Sequence, residues 1–133
     1  MNTLNILASS FIKIIHVGVV LFIVVVPFLK KIQWTVALLH VTSVVSLLVH
    51  WYVDEDTCFL TLLESMLLGI DTKTSFMHRL VSPIYKIQDK DLKRLVWIVT
   101  PILGLITLTR LYNARNLIKR EILLMYKEAQ RFA

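Results

Sequence analysis

The sequence has little of what most small modules are built on. One cysteine, Cys58, in 133 residues excludes an internal disulfide framework and a cysteine-rich metal module. Three glycines and three prolines exclude collagen-like, linker and low-complexity readings. Charged residues make up only 18%, where a soluble domain has about 25%. No Walker loop, Gly-rich nucleotide turn, serine elbow or metalloprotease helix occurs, so no enzymatic activity is expected. No Asn-x-Ser/Thr sequon, myristoylation glycine or prenylation box is present either.

What the chain does have is apolar sequence. Hydrophobic residues reach 56%, against roughly 45–50% in soluble proteins. Three stretches, about 8–29, 34–53 and 95–112, each approach or exceed the ~20 apolar residues that cross a hydrocarbon core. Trp34, Trp51, Tyr52, Trp97 and Tyr112 stand at the ends of the second and third, at the level where amphipathic rings prefer the headgroups. The first stretch reads as a span and not as a cleaved leader, because no basic region precedes it and Lys13 interrupts it. The expectation is an all-α integral membrane protein, one domain over 1–133, with Lys30 and Lys31 in a tight turn between the first two spans.

The net charge of +6 is concentrated at the C-terminus, where residues 110–133 carry six bases and two acids. Beside so much apolar sequence an anionic lipid surface explains this better than nucleic acid, which is not expected as a partner. Putting the Lys30–Lys31 turn and the basic tail in the cytoplasm gives N-out, C-in. The six Lys and Arg residues between the second and third spans weaken that bias.

Within the spans the polar residues fall on faces. Thr35, Thr42, Ser43, Ser46 and His50 form one stripe of the second helix, His40 lies about 60° beyond its edge, and the stripe is expected to turn towards neighbouring protein or a water-filled space. Ser9, Lys13 and His16 make a shorter polar face on the first helix. Thr100, Gly104 and Thr107 give the third a small-residue face that permits close helix approach or oligomerisation, and Pro101 is expected to bend it. His16, His40 and His50 allow a haem or metal site or, alternatively, interhelical hydrogen bonding. Vertical offsets of roughly 7 Å between His16 and the other two favour hydrogen bonding, so no cofactor is expected.

The segment between the second and third spans predicts two short interfacial or re-entrant helices, about 56–69 and 74–82. Asp54, Glu55 and Asp56 signal the start of the first, and Gly69 its end. Thr57, Thr61 and Glu64 line one of its faces. Glu64 needs a partner, and Arg79 or His78 in the second short helix is nearest; the alternative is Glu64 facing water and Arg79 a lipid phosphate. Cys58 reads as a buried structural thiol, with palmitoylation as a second possibility. From about 110 to 131 an apolar stripe through Leu111, Ala114, Ile118, Ile122, Met125, Ala129 and Phe132 predicts one basic amphipathic helix without a break. Arg115, Lys119, Arg120, Lys127 and Arg131 lie on its other faces. It suits a membrane surface, a docking partner, or the protein's own loop.

The run Asp56-Thr57-Cys58-Phe59-Leu60-Thr61-Leu62-Leu63-Glu64, soon after a span ending near His50-Trp51, resembles a motif of small uncharacterised bacterial membrane proteins. It is similar also to short membrane proteins of large nucleocytoplasmic DNA viruses, in which a Phe-x-x-Arg and Pro-x-Tyr segment follows, here Phe76, Arg79, Pro83 and Tyr85. The likeness covers about residues 34–113, and Phe59, where the bacterial form has proline, favours the viral group. The resemblance implies a structural protein of a virion inner membrane that links membrane to minor capsid or other virion proteins. A redox or transport protein using the histidines, and a membrane-remodelling factor left out of the particle, are the competing readings.

Overall fold

A computed structural model describes residues 2–55, 57–69 and 76–133; these form helices and connecting turns, with no strand among them. Helix α1 (Thr3–Val25) runs into a 3-10 turn over Val26–Phe28, and α2 (Trp34–Val53) follows. Two short helices, α3 (Phe59–Leu68) and α4 (Phe76–Val81), precede α5 (Asp89–Asn113) and α6 (Arg115–Phe132). α1 with its 3-10 turn, α2 and α5 are each long and apolar enough to cross a membrane.

The ends of the elements have local causes. Pro27 lacks an N–H and so cannot continue the α-helical ladder; the chain tightens into the 3-10 turn and leaves it extended at Leu29. α1 begins at Thr3, ahead of the expected 8, because nothing between breaks a helix and the Ser10 hydroxyl bonds back to the Ile6 carbonyl at 2.9 Å. α5 starts at Asp89 and not near 95: Gln88 is extended, and Asp89 and Asp91 favour the positive end of the helix dipole. Gly69 ends α3 at φ 63°, a conformation that glycine adopts without steric cost. α4 stops at Val81, two residues before Pro83. The expected start of that second short helix lies outside the described residues.

α2 lies along α5, and Ile23 of α1 joins Val44 and Leu103 in the apolar core, with Phe22 and Leu48 packed against it. The small-residue face of α5 is where it was expected: Thr100, Gly104 and Thr107 are all buried. A Cβ on Gly104 would sit 2.8 Å from Val44 Cγ1, so only glycine allows this approach.

The packing face of α2 departs from expectation. Its buried residues are Ala37, His40 and Val44, whereas Thr35, Thr42 and Ser46 of the polar stripe are exposed. Thr42 shows why this is tolerable, since its hydroxyl bonds to the Leu38 carbonyl one turn back at 2.9 Å and needs no neighbour. With the Thr42 hydroxyl satisfied internally, shape decides the interface, and Val44 is what Gly104 of α5 approaches.

The C-terminal stripe is also interrupted. Ala114, at φ −87° and ψ 2°, separates α5 from α6. The Arg115 guanidinium sits 4.2 Å from the centre of the Tyr112 ring across this junction. No residue of α6 is buried, so it does not pack back onto the described part of the loop.

Candidate functional site

The polar side chains gather in three places. The first lies where α3 packs against α1. Glu64 has no exposed surface, and its carboxylate accepts two hydrogen bonds from Arg79, Nη2 to Oε2 at 3.2 Å and Nη1 to Oε1 at 3.4 Å. Lys13 Nζ lies 3.5 Å from Oε1, the oxygen that also accepts from Arg79 Nη1. Of the two candidate partners Arg79 is the one that pairs with Glu64, and α1 contributes a second cation. Thr61, one turn before Glu64, is buried with it. His16 stacks on Phe76, with ring centroids 3.8 Å apart and planes 14° from parallel. Ser9 Oγ, His16 Nδ1 and Arg79 Nε are buried without a hydrogen-bond partner.

This arrangement inverts a soluble amphipathic helix. Two of the three polar residues of α3, Thr61 and Glu64, face inward, and Ser65 bonds back to the Leu62 carbonyl, while Phe59, Leu62 and Met66 are exposed. Apolar-out and polar-in is the pattern expected of a helix surrounded by hydrocarbon. Counted from Leu29 along α1, Lys13 is about 24 Å away at 1.5 Å per residue, far from the Lys30–Lys31 turn.

The second place is the start of α3. Cys58 holds the N-cap position, but its side chain makes no capping bond and the thiol is half-buried, not buried as expected. The cap comes from α2, where His50 Nε2 accepts the Phe59 N–H at 2.8 Å. That bond requires a lone pair on Nε2, which leaves the proton on Nδ1 to donate to Asp54 Oδ2 at 3.0 Å. Asp56, expected to signal this helix start, lies outside the described residues.

The third is the α1–α2 turn. Because Pro27 has no N–H, the Ile23 carbonyl four residues earlier has no helical donor. His40, fully buried, supplies one from Nε2 at 2.9 Å. Arg110, at the end of α5, donates from Nη1 to the Pro27 carbonyl at 2.7 Å and from Nη2 to the Lys30 carbonyl at 3.3 Å. Arg110 was missed as anything more than a tail charge. The available signal was a proline that frees carbonyls at the end of one span, and an arginine at the end of another span on the same side.

The histidines thus serve separate contacts: His16 with Phe76, His40 with Ile23, His50 with Phe59 and Asp54, and His78 with the Ile87 carbonyl at 2.9 Å. Among the described residues no group of three or more His, Cys, Asp or Glu side chains is placed to hold a metal ion. Of the remaining motif residues, Pro83 and Tyr85 are exposed beyond α4, and Lys119, Arg120 and Lys127 are exposed along α6. Trp51 and Trp97 meet where α2 ends and α5 begins, with ring centroids 5.8 Å apart. No family model, curated protein or solved structure matches the chain.

Proposed function

We propose that this chain is a structural multi-pass membrane protein whose α6 engages the proteins it anchors. The observation that carries the reading is α6 itself: 18 residues, basic and amphipathic, with none buried among the described residues. An apolar face left bare in this way is a surface for another molecule. The side-chain contacts between elements support the anchoring role: Glu64–Arg79 ties α3 to α4, His50–Phe59 ties α2 to α3, and Arg110–Pro27 ties α5 to the turn after α1.

The resemblance carried by residues 56–64 and by Phe76, Arg79, Pro83 and Tyr85 suggests the setting: the inner membrane of a large DNA virus particle, tied to minor capsid or other virion proteins, with the chain N-out and C-in. Quantitative mass spectrometry of purified particles, crosslinked before digestion, tests this. Abundant recovery with crosslinks from Lys119 or Lys127 to another structural protein is the expected result. Absence from the particle refutes the virion role and favours a remodelling factor. One observation favours transport as a second reading: Ser9 Oγ and His16 Nδ1 are buried and unpartnered on the α1 face that carries Lys13 to Glu64. Proton flux into liposomes containing the protein, abolished by Glu64→Gln, would establish it.

A further inference from the structure

The end of the bundle at the α1–α2 turn is positively charged, with no counterion among the described residues. Lys30 and Lys31 are both exposed there, and the Arg110 guanidinium lies 3.3 Å from the Lys30 carbonyl, joining residues 80 apart in sequence. No acid precedes Asp54 in the chain, and none lies between Asp91 and Glu121. Asp54 ends α2, and Asp89 and Asp91 begin α5, so each of these helices carries its acids at the end away from the turn. Among the described residues no carboxylate lies within ion-pair distance of Lys30, Lys31 or Arg110.

We propose that Lys30, Lys31 and Arg110 form a binding site for the phosphate of an anionic phospholipid headgroup. Arg110 is suited to it by geometry. A guanidinium has five N–H donors in a fixed fork, and the two backbone contacts at 2.7 Å and 3.3 Å use two of them. Those carbonyls fix the fork in place, and the remaining donors with two flexible ammonium groups match a tetrahedral, multiply accepting anion. The occupant is a lipid and not a soluble anion because the site sits at the ends of three membrane-crossing candidates, where headgroup phosphates are the abundant anion. The inference is independent of the virion reading, since any anionic bilayer supplies the ligand.

Native mass spectrometry of the full chain in detergent, titrated with phosphatidylglycerol or phosphatidylcholine, tests it. The wild-type chain is expected to retain phosphatidylglycerol in preference. The double variant Lys30→Gln/Lys31→Gln should lose about thirtyfold in affinity, from the ~1 kcal/mol that each basic residue contributes near an anionic surface. Lys86→Gln/Lys90→Gln, at the far end of the bundle, should lose nothing. Arg110→Gln risks opening the turn, so the lysine pair carries the test. Equal retention of the two lipids, or equal losses in both double variants, overturns the site. Displacement of the lipid by inorganic phosphate, beyond that by chloride at the same ionic strength, overturns the lipid assignment in favour of a soluble anion.

Discussion

Replacing Arg79 should cost the fold more than replacing Glu64, although the two form one pair. The carboxylate has 1% of its side chain exposed, whereas the Arg79 and Lys13 side chains are 34% and 51% exposed. In Glu64→Gln the two cations lose their anion, but each is partly exposed and its long stem lets the charged end snorkel to the headgroup level. In Arg79→Met the carboxylate stays buried with only Lys13 at 3.5 Å. Stranding one partner of a buried pair costs about 3–5 kcal/mol. The remaining lysine and the partial exposure of Arg79 reduce this to about 2–3 kcal/mol for Arg79→Met, with about 1 kcal/mol for Glu64→Gln. The double variant should recover part of the loss, a coupling of about 1–2 kcal/mol. Unfolding by denaturing detergent in mixed micelles, followed by tryptophan fluorescence, measures all four corners of the cycle. Zero coupling, or a Glu64→Gln loss equal to that of Arg79→Met, would refute a buried anion held by two surface-reaching cations.

Three further outcomes are expected. His40→Leu strands the Ile23 carbonyl and should cost about 1–3 kcal/mol; Pro27→Ala restores a helical donor to that carbonyl and should offset the loss in thermal melts of the double variant. Gly104→Ala drives a Cβ to within 2.8 Å of Val44 Cγ1, and the loss should largely disappear when Val44→Ala is added. His50→Leu removes the cap from the Phe59 N–H at a cost of about 1 kcal/mol, and should speed hydrogen exchange over the first turn of α3 while leaving α5 unchanged. Unaltered exchange there would show that the cap carries no stability.

Much of the secondary structure was legible because it follows from local causes. Apolar length marked all three long helices, Gly69 the end of α3, and the i, i+4, i+7 spacing of Thr100, Gly104 and Thr107 the buried side of α5. Glu64 on an apolar helix announced that it needed a partner, and Arg79 was within reach along the chain. Lys13 as a second partner was not legible, because nothing local says which side of α1 the short helix α3 will pack against. Phe76 was visible as part of a motif, but its stacking on His16 joins segments 60 residues apart in sequence. The α2 interface was misread for a different reason. Polarity suggested a face, yet Thr42 satisfies its hydroxyl on its own helix, and the contact with α5 is set by side-chain volume.

By itself, then, the sequence determined the all-helical class, the three long apolar helices and the basic amphipathic tail, since each depends on periodicity or length within one segment. Only the tertiary structure decided the pairing of polar groups. The Ile23 carbonyl is freed by Pro27 but satisfied by His40; the Phe59 N–H begins α3 but is capped from α2; and Arg110 ends α5 but holds the turn after α1. In each case the sequence shows a backbone group without a local partner, because hydrogen bonding along a helix is a short-range rule. Which side chain fills the vacancy depends on how the helices pack, and that is settled by shape complementarity among residues far apart in the chain.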